Sequence, residues 1–152
     1  MSIASTMESM KEQLGKEIFL SDWKEVTQEQ INQFADATGD HQWIHVDVEK
    51  ATNGPFGKPI AHGFLTLAQL PFFGNQMPLR YEGKKMGINY GLNKVRFLNP
   101  VLVGSKIRDR IVLSGLEEKP GNRLLVTTTH TIEIQGSDKP ACIAEQLSMV
   151  YF

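Results

Sequence analysis

Asp40 and His45, with four residues between them, lie in the segment FADATGDHQWIHVD (34–47); Gly63 closes IAHG in the segment FGKPIAHGFL (56–65). A carboxylate beside an imidazole can pass protons to and from water near neutral pH, because the acid orients the ring and tunes its pKa. A glycine at a helix start offers a backbone N–H with no side chain in the way. The first amides of a helix have no internal partner, and the helix dipole favours negative charge there. Together these are the parts needed to add water across a polarised double bond such as that of an enoyl thioester. The acid–base pair serves the water and the α-carbon, and the amide steadies the charge that builds on the carbonyl oxygen.

Each residue taken singly has a plainer role. Asp40 after Gly39 suits a turn. His45 suits a hydrogen-bonded structural histidine, His62 can satisfy backbone groups at a helix start, and Gly63 can allow close packing. The convergence of the three favours chemistry. His41, His45, Asp40, Asp47 and His62 also form a possible zinc or iron ligand set. His41 and His45 would share a face only on a helix, and Gly39 ends one just before them, so no metal is expected. By the same geometry, five residues of helix turn through about 500°, so Asp40 and His45 converge only in an irregular segment.

The elements that must position these residues are legible from periodicity and punctuation. Residues 4 to 15 are helix-friendly, with Met7, Met10 and Leu14 at helical spacing and Gly15 as a stop. Ile18 to Val26 predicts a short strand. Thr27 and Gln30 fit a capping box for a helix whose face is Ile31, Phe34, Ala35 and Thr38, closed by Gly39. Asp40 to Lys58, punctuated by Asn53-Gly54-Pro55 and Gly57-Lys58-Pro59, predicts a long irregular segment, packed because Trp43, Ile44, Val46 and Phe56 are apolar. HGFLTLAQLPFF, from about Ala61, is apolar all round and predicts a helix buried on most sides, kinked or ended by Pro71. Strands are predicted over Met86 to Phe97, Lys106 to Leu113, Arg123 to Ile134 and Ala141 to Phe152. In the third of these Val126, Thr128, His130, Ile132 and Ile134 alternate with Thr127, Thr129, Thr131 and Glu133. Turns are predicted at Glu117 to Asn122 and Gly136 to Pro140. About five antiparallel strands and one buried helix make an α+β domain spanning 1–152, with no repeat or linker to divide it.

Composition excludes several classes. The 152 residues are 41% hydrophobic and 22% charged with net charge -1, so nucleic acid is not an expected partner. One cysteine, Cys142, cannot form an internal disulfide, and the start of the chain has no apolar signal run. Ile60 to Phe73 is too short to span a bilayer. A cytoplasmic protein with no membrane association is expected.

The two segments 34–47 and 56–65 resemble the hydratase motif of MaoC-like dehydratases, which include the R-specific enoyl-CoA hydratases. NYGLNKVRFLNPVLVGSKI (89–107) and the closing PACIAEQLSMVYF are similar to the subgroup containing nodulation protein N, and the likeness runs from about Leu14 to Tyr151. The resemblance implies a hot-dog fold, an antiparallel sheet wrapped around a central helix, in dimers that join two sheets with the acyl-CoA tunnel near the interface. It implies that Asp40 and His45 are catalytic and that Gly63 is the oxyanion donor. Ile60, Ala61 and His62 before the glycine would meet the substrate with Trp43 and Phe64, as would Asn89, Tyr90 and Asn93 on a strand beside the site. The implied reaction is reversible syn hydration of a trans-2-enoyl thioester, of coenzyme A or acyl carrier protein, to an R-3-hydroxyacyl thioester. Coenzyme A enters as part of the substrate, and no cofactor is expected. The chain departs from the motif at Gln42-Trp43, where Asn-Pro is usual, and at Pro71, where some R-specific hydratases carry serine. Both departures bear on acyl-chain preference.

Other residues complete the expectations. Lys84, Lys85, Lys94 and Arg96 form a basic patch suited to the phosphates of coenzyme A or to a solvated strand edge. Trp43, Phe56, Phe64, Phe72 and Phe73 are expected to line or plug an apolar tunnel. Cys142 reads as a buried, inert thiol. A homodimer, or an even multiple of it, is expected, with the last, Thr- and Val-rich strands as its edges. The competing functions are an acyl-CoA thioesterase on the same fold and a non-catalytic acyl-binding subunit. The first is disfavoured because no Asp or Glu lies between Ala61 and Leu79, the second because Asp40, His45 and Gly63 are all present.

Overall fold

The chain, seen in a computed structural model, is described over residues 3–79 and 81–152. The elements follow in chain order. They are α1 (Ile3–Lys11), β1 (Glu17–Leu20), β2 (Lys24–Glu25), α2 (Gln28–Thr38), α3 (Trp43–Val46), α4 (Val48–Thr52), α5 (Gly63–Ala68), α6 (Leu70–Gly74), β3 (Met86–Phe97), β4 (Lys106–Lys119), β5 (Arg123–Ile134) and β6 (Cys142–Tyr151). One antiparallel sheet runs β1-β4-β5-β6-β3, with β2 also on β4. Register shifts in β3, at Asn89/Gly91 and Leu92/Lys94, and in β4, at Leu113/Gly115, are bulges, which bend strands and increase twist. The bent sheet curls around α5 and α6.

The period-two reading of β5 holds along its length: Leu124, Val126, Thr128, His130, Ile132 and Ile134 are buried and the intervening residues are half-exposed. The strand order corrects the expected edges. β5 and β6 each have neighbours on both sides, and the edges are β1 with β2 and, at the far side, β3. Thr-rich outward positions belong to any strand of a sheet with one wet face, so composition alone does not distinguish a central strand from an edge. β4 also runs through Glu117 to Lys119, which shortens the predicted turn, and the early strand is interrupted between Leu20 and Lys24.

The stretch from Asp40 to Lys58 is not wholly irregular, since it holds α3 and α4. Asp47 ends the first and caps the second, its side chain accepting from the Lys50 N–H at 3.0 Å. Helices this short leave no periodicity to read. Thr27 caps α2 by accepting from the Gln30 N–H, and Gly39 closes it at φ 82°, a left-handed conformation glycine adopts without strain.

The central helix is two pieces broken at Gln69, as Pro71 requires, because proline brings no N–H to the helical ladder. The Gln69 side chain is held there by Lys24 Nζ at 2.8 Å and Gln30 Nε2 at 3.2 Å. Leu65, Thr66, Leu70 and Phe73 are buried, but Phe64 is 69% exposed and Phe72 45% exposed. The expectation of a helix buried on most sides holds, with one face open toward β3 in the single chain.

Two apolar clusters fill the inside of the sheet. One gathers Val26, Ile31, Leu65, Phe73, Ile107 and Ile132; the other gathers Met10, Leu113, Leu124, Val126 and Val150. Along β4 and β5 the residues between the two clusters include Asp109, Thr128 and His130, all buried.

Candidate active site

Gly39 turns the chain out of α2 and places Asp40 at the surface, with its carboxylate accepting from the Gln42 N–H at 3.3 Å. One turn of helix, α3, then carries His45 inward. Beyond α4 the chain returns as a short extended piece: Val103 N–H bonds Pro59 C=O, Ala61 N–H bonds Val101 C=O, and Ile60 N–H bonds Ile44 C=O. This brings Ile60 beside His45 and His62 beside Asp40, and Gly63 begins the central helix.

The hydrogen bonds assign the tautomers. His45 Nδ1 lies 2.6 Å from the Ile60 carbonyl oxygen, which can only accept, so Nδ1 carries the proton and Nε2 keeps its lone pair. His62 Nε2 lies 2.9 Å from the Asp40 carbonyl oxygen and is likewise the protonated nitrogen. Its Nδ1 is buried without a partner among the described residues. The two imidazoles stack at 3.8 Å between centroids and 25° between planes, and the Phe34 ring lies 4.9 Å from that of His62. One ligand-type atom from each of Asp40, His45 and His62 lies within 4.8 Å of the others.

Burial is the main influence on His45 and lowers its pKa below the ordinary imidazole value. The Ile60 carbonyl opposes that, His62 adds to it, and Asp40 opposes it. His45 is therefore neutral at neutral pH with Nε2 unprotonated, and one of its ring nitrogens lies within 4.8 Å of an Asp40 carboxylate oxygen.

Gly63 is the first residue of α5, so its N–H has no intrahelical acceptor. Any Cβ there would lie 3.0 Å from the Phe97 ring, so the helix start rests directly on that side chain. Ile60, Ala61, Gly63, Thr66, Phe97 and Val101 line a cavity of about 280 Å³ beneath it.

Other expected residues fall in different places. His41 is exposed and paired with Asp36, and Asp47 is a cap, so neither joins the cluster. Phe64, Asn89 and Tyr90 come together along a groove of about 360 Å³ with Leu67, Ala68 and Leu92. Asn93 turns away, its amide donating to Glu145 at 2.6 Å. Trp43 packs on Gly54 with Lys50 over its ring, on the outer side of α3 and α4. The predicted aromatic tunnel lining is thus corrected: Phe73 is a core residue, Phe72 carries Lys24 on its ring, and only Phe64 of the five lines the groove. A side chain on a one-turn helix has no sequence signal for the side it faces. Cys142 is buried, and burial pushes its thiol up to about 11.

A curved antiparallel sheet enclosing a central helix, with an acid and an imidazole at the helix head, defines a hot-dog protein of the dehydratase type. Residues 9–135 match the MaoC like domain, and the chain belongs to that family. It is 54% identical over 133 residues to 3-hydroxyacyl-thioester dehydratase Z of Mycobacterium tuberculosis, covering 88% of this chain and 87% of that protein. It is 42% identical over 140 residues to nodulation protein N of Rhizobium leguminosarum, covering 91% and 87%. The solved structure of a monoamine oxidase regulatory protein from Archaeoglobus superposes with a TM-score of 0.77 at 27% identity, over 91% of this chain and 90% of that one.

Proposed function

We propose that the chain is a single-domain hydro-lyase that reversibly hydrates trans-2-enoyl thioesters, of coenzyme A or acyl carrier protein, to R-3-hydroxyacyl thioesters. The observation that carries this is the His45 tautomer. Its Nδ1–H is spent on Ile60, so Nε2 is the ring nitrogen left free to act as a base, in a residue that clusters with the Asp40 carboxylate at the head of the helix that Gly63 begins. Water sits between Nε2 and the Asp40 carboxylate. As the water oxygen bonds to C3, its proton passes to Nε2 and the C2–C3 π pair moves toward the thioester oxygen. The Gly63 N–H steadies that oxygen. The imidazolium then returns a proton to C2 from the same face, so addition is syn. Asp40 orients the water and stabilises the imidazolium while it exists. Loss of absorbance of crotonyl-CoA, run beside a free-thiol assay, tests the activity and separates it from thioesterase action.

His62 holds Asp40 through its carbonyl and supports His45 from below, a positioning role that complements its expected contact with substrate. The same cluster has the composition of a metal site, but the acid–base steps use the carboxylate and imidazole directly. Activity is expected to survive prolonged dialysis against EDTA, and a loss restored by zinc or iron would reverse that assignment.

The lowered His45 pKa sets the pH profile. The base works unprotonated, so kcat/KM should fall as pH drops through the His45 pKa, with its acid limb below the ordinary imidazole value of about 6.5. A limb centred above that value would contradict the assignment.

The dimer expectation moves to β3. This edge strand spans twelve residues and exposes Met86, Ile88, Tyr90, Leu92 and Phe97, beside the open helix face at Phe64. Long apolar edges are normally covered. A second copy pairing along β3 would cover it and close the groove, so light scattering at micromolar protein should give twice the chain mass or an even multiple. Leu92→Asp should shift the mass to the monomer. No helix among the described residues is long and apolar enough to cross a membrane, and the lone buried thiol suits the cytoplasm.

A further inference from the structure

The floor of a second cavity departs from what an alkyl chain needs. This cavity, of about 200 Å³, lies between α6 and the inner face of the sheet, and Thr128 and His130 line it. They belong to a buried relay. Thr128 Oγ1 is 2.8 Å from His130 Nε2, and His130 Nδ1 is 2.7 Å from Asp109 Oδ2, with the three residues 8%, 3% and 0% exposed. Gln146, Ser148 and Asn89 add polar groups to the walls, and Gln146 Nε2 donates to Asn89 at 3.1 Å.

Burying such a relay costs free energy that an apolar trio of similar volume would not incur. It also parts the two apolar clusters just where an acyl chain would otherwise find continuous hydrocarbon. Among the described residues its partners leave two positions open, the buried Asp109 Oδ1, which has no partner, and the Thr128 hydroxyl. Both ring nitrogens of His130 are engaged, but among the described residues the Thr128 hydroxyl bonds only His130, so its remaining capacity is left for an occupant of the cavity.

The cavity also adjoins the groove that runs beside the central helix. It shares Leu70, Pro71, Asn89 and Gln146 with the groove that begins at Phe64, next to Gly63. From Gly63 to Pro71 the helix rises roughly 12 Å, about the length of an extended chain of nine or ten carbons. A thioester held at Gly63 with its chain in the groove would reach the cavity near that carbon.

We propose that this cavity selects acyl thioesters bearing an oxygen function far along the chain, a hydroxyl group that hydrogen-bonds Thr128 within the Thr128–His130–Asp109 relay. The proposal rests on the dehydratase reading and adds to it the class of acyl group. A plain chain of the same length would leave the remaining capacity of the Thr128 hydroxyl unpaired and is disfavoured, as sites built to bond a hydroxyl disfavour analogues that lack it.

The test compares kcat/KM for trans-2-enoyl-CoA substrates with and without a terminal hydroxyl, at chain lengths of roughly eight, ten and twelve carbons. The wild-type protein should favour the hydroxylated member by at least about tenfold at one of these lengths. Thr128→Val should bring that ratio close to one, while Thr128→Ser should keep it. The ratio is taken within each variant, so a general loss of activity or folding cancels. A wild-type ratio of one at every length overturns the proposal, even if Thr128→Val does not fold, and so does an unchanged ratio in Thr128→Val. Crotonyl-CoA is run alongside. Turnover of crotonyl-CoA without the preference removes only this inference, whereas no turnover of any substrate removes the dehydratase reading and this inference with it.

Discussion

Asp40→Asn and His45→Gln are each expected to lower kcat/KM for crotonyl-CoA hydration by about 100- to 10,000-fold, the range general acid–base groups contribute. Each variant keeps the shape of its side chain and removes one function. In His45→Gln an amide replaces the nitrogen that receives the water proton. The Asp40→Asn variant retains the surface turn with its Gln42 contact but loses the charge that stabilises the imidazolium. Because the two groups act on one water, the double variant should be little worse than the poorer single one. Thermal unfolding should barely change for Asp40→Asn, since Asp40 is exposed, whereas His45 is buried and its loss also removes the bond to Ile60. Near wild-type hydration by both single variants would place the chemistry elsewhere in the molecule.

Gly63→Ala is the second large effect. Its Cβ would sit 3.0 Å from Phe97 Cδ2 and 3.1 Å from Cγ and Cε2, closer than side chains pack, so the start of α5 or the ring must shift. An oxyanion donor acts only at the right distance, and loss of one typically costs about 100-fold or more in kcat. The expected signature is a fall of that order in kcat with a smaller change in KM, because the amide matters most as charge develops. Adding Phe97→Ala to Gly63→Ala should recover part of the rate by making room for the methyl group. Full activity in Gly63→Ala would show that the helix start tolerates displacement and that Gly63 N–H is not the donor.

The sequence alone was enough to name the parts of the proposed site. The acid, the imidazole and the helix-start glycine stand in two adjacent segments, and the stops that shape those segments, Gly39 and Pro71 among them, act locally through backbone conformation and a missing N–H. The capping of α2 by Thr27 and the two-faced character of β5 were equally local, and so readable. His130 on the buried face of β5 was in view as well, and Asp109 alternates with Ile107, Ile111 and Leu113 on β4. Their pairing was not in view, because 21 residues separate the partners and only the strand register brings them together.

The rest depended on tertiary structure for the same reason. Which strand is an edge follows from the order in which strands pair, to which the composition of β5 and β6 is indifferent. The side on which Trp43 lies is set by a single helical turn too short to show a period. The protonated nitrogen of His45 is decided by a carbonyl fifteen residues away, brought there by the bonds of residues 59–61 to 101–103. Residue types supply the chemistry a site can perform; long-range backbone pairing decides which atom of each residue is free to perform it.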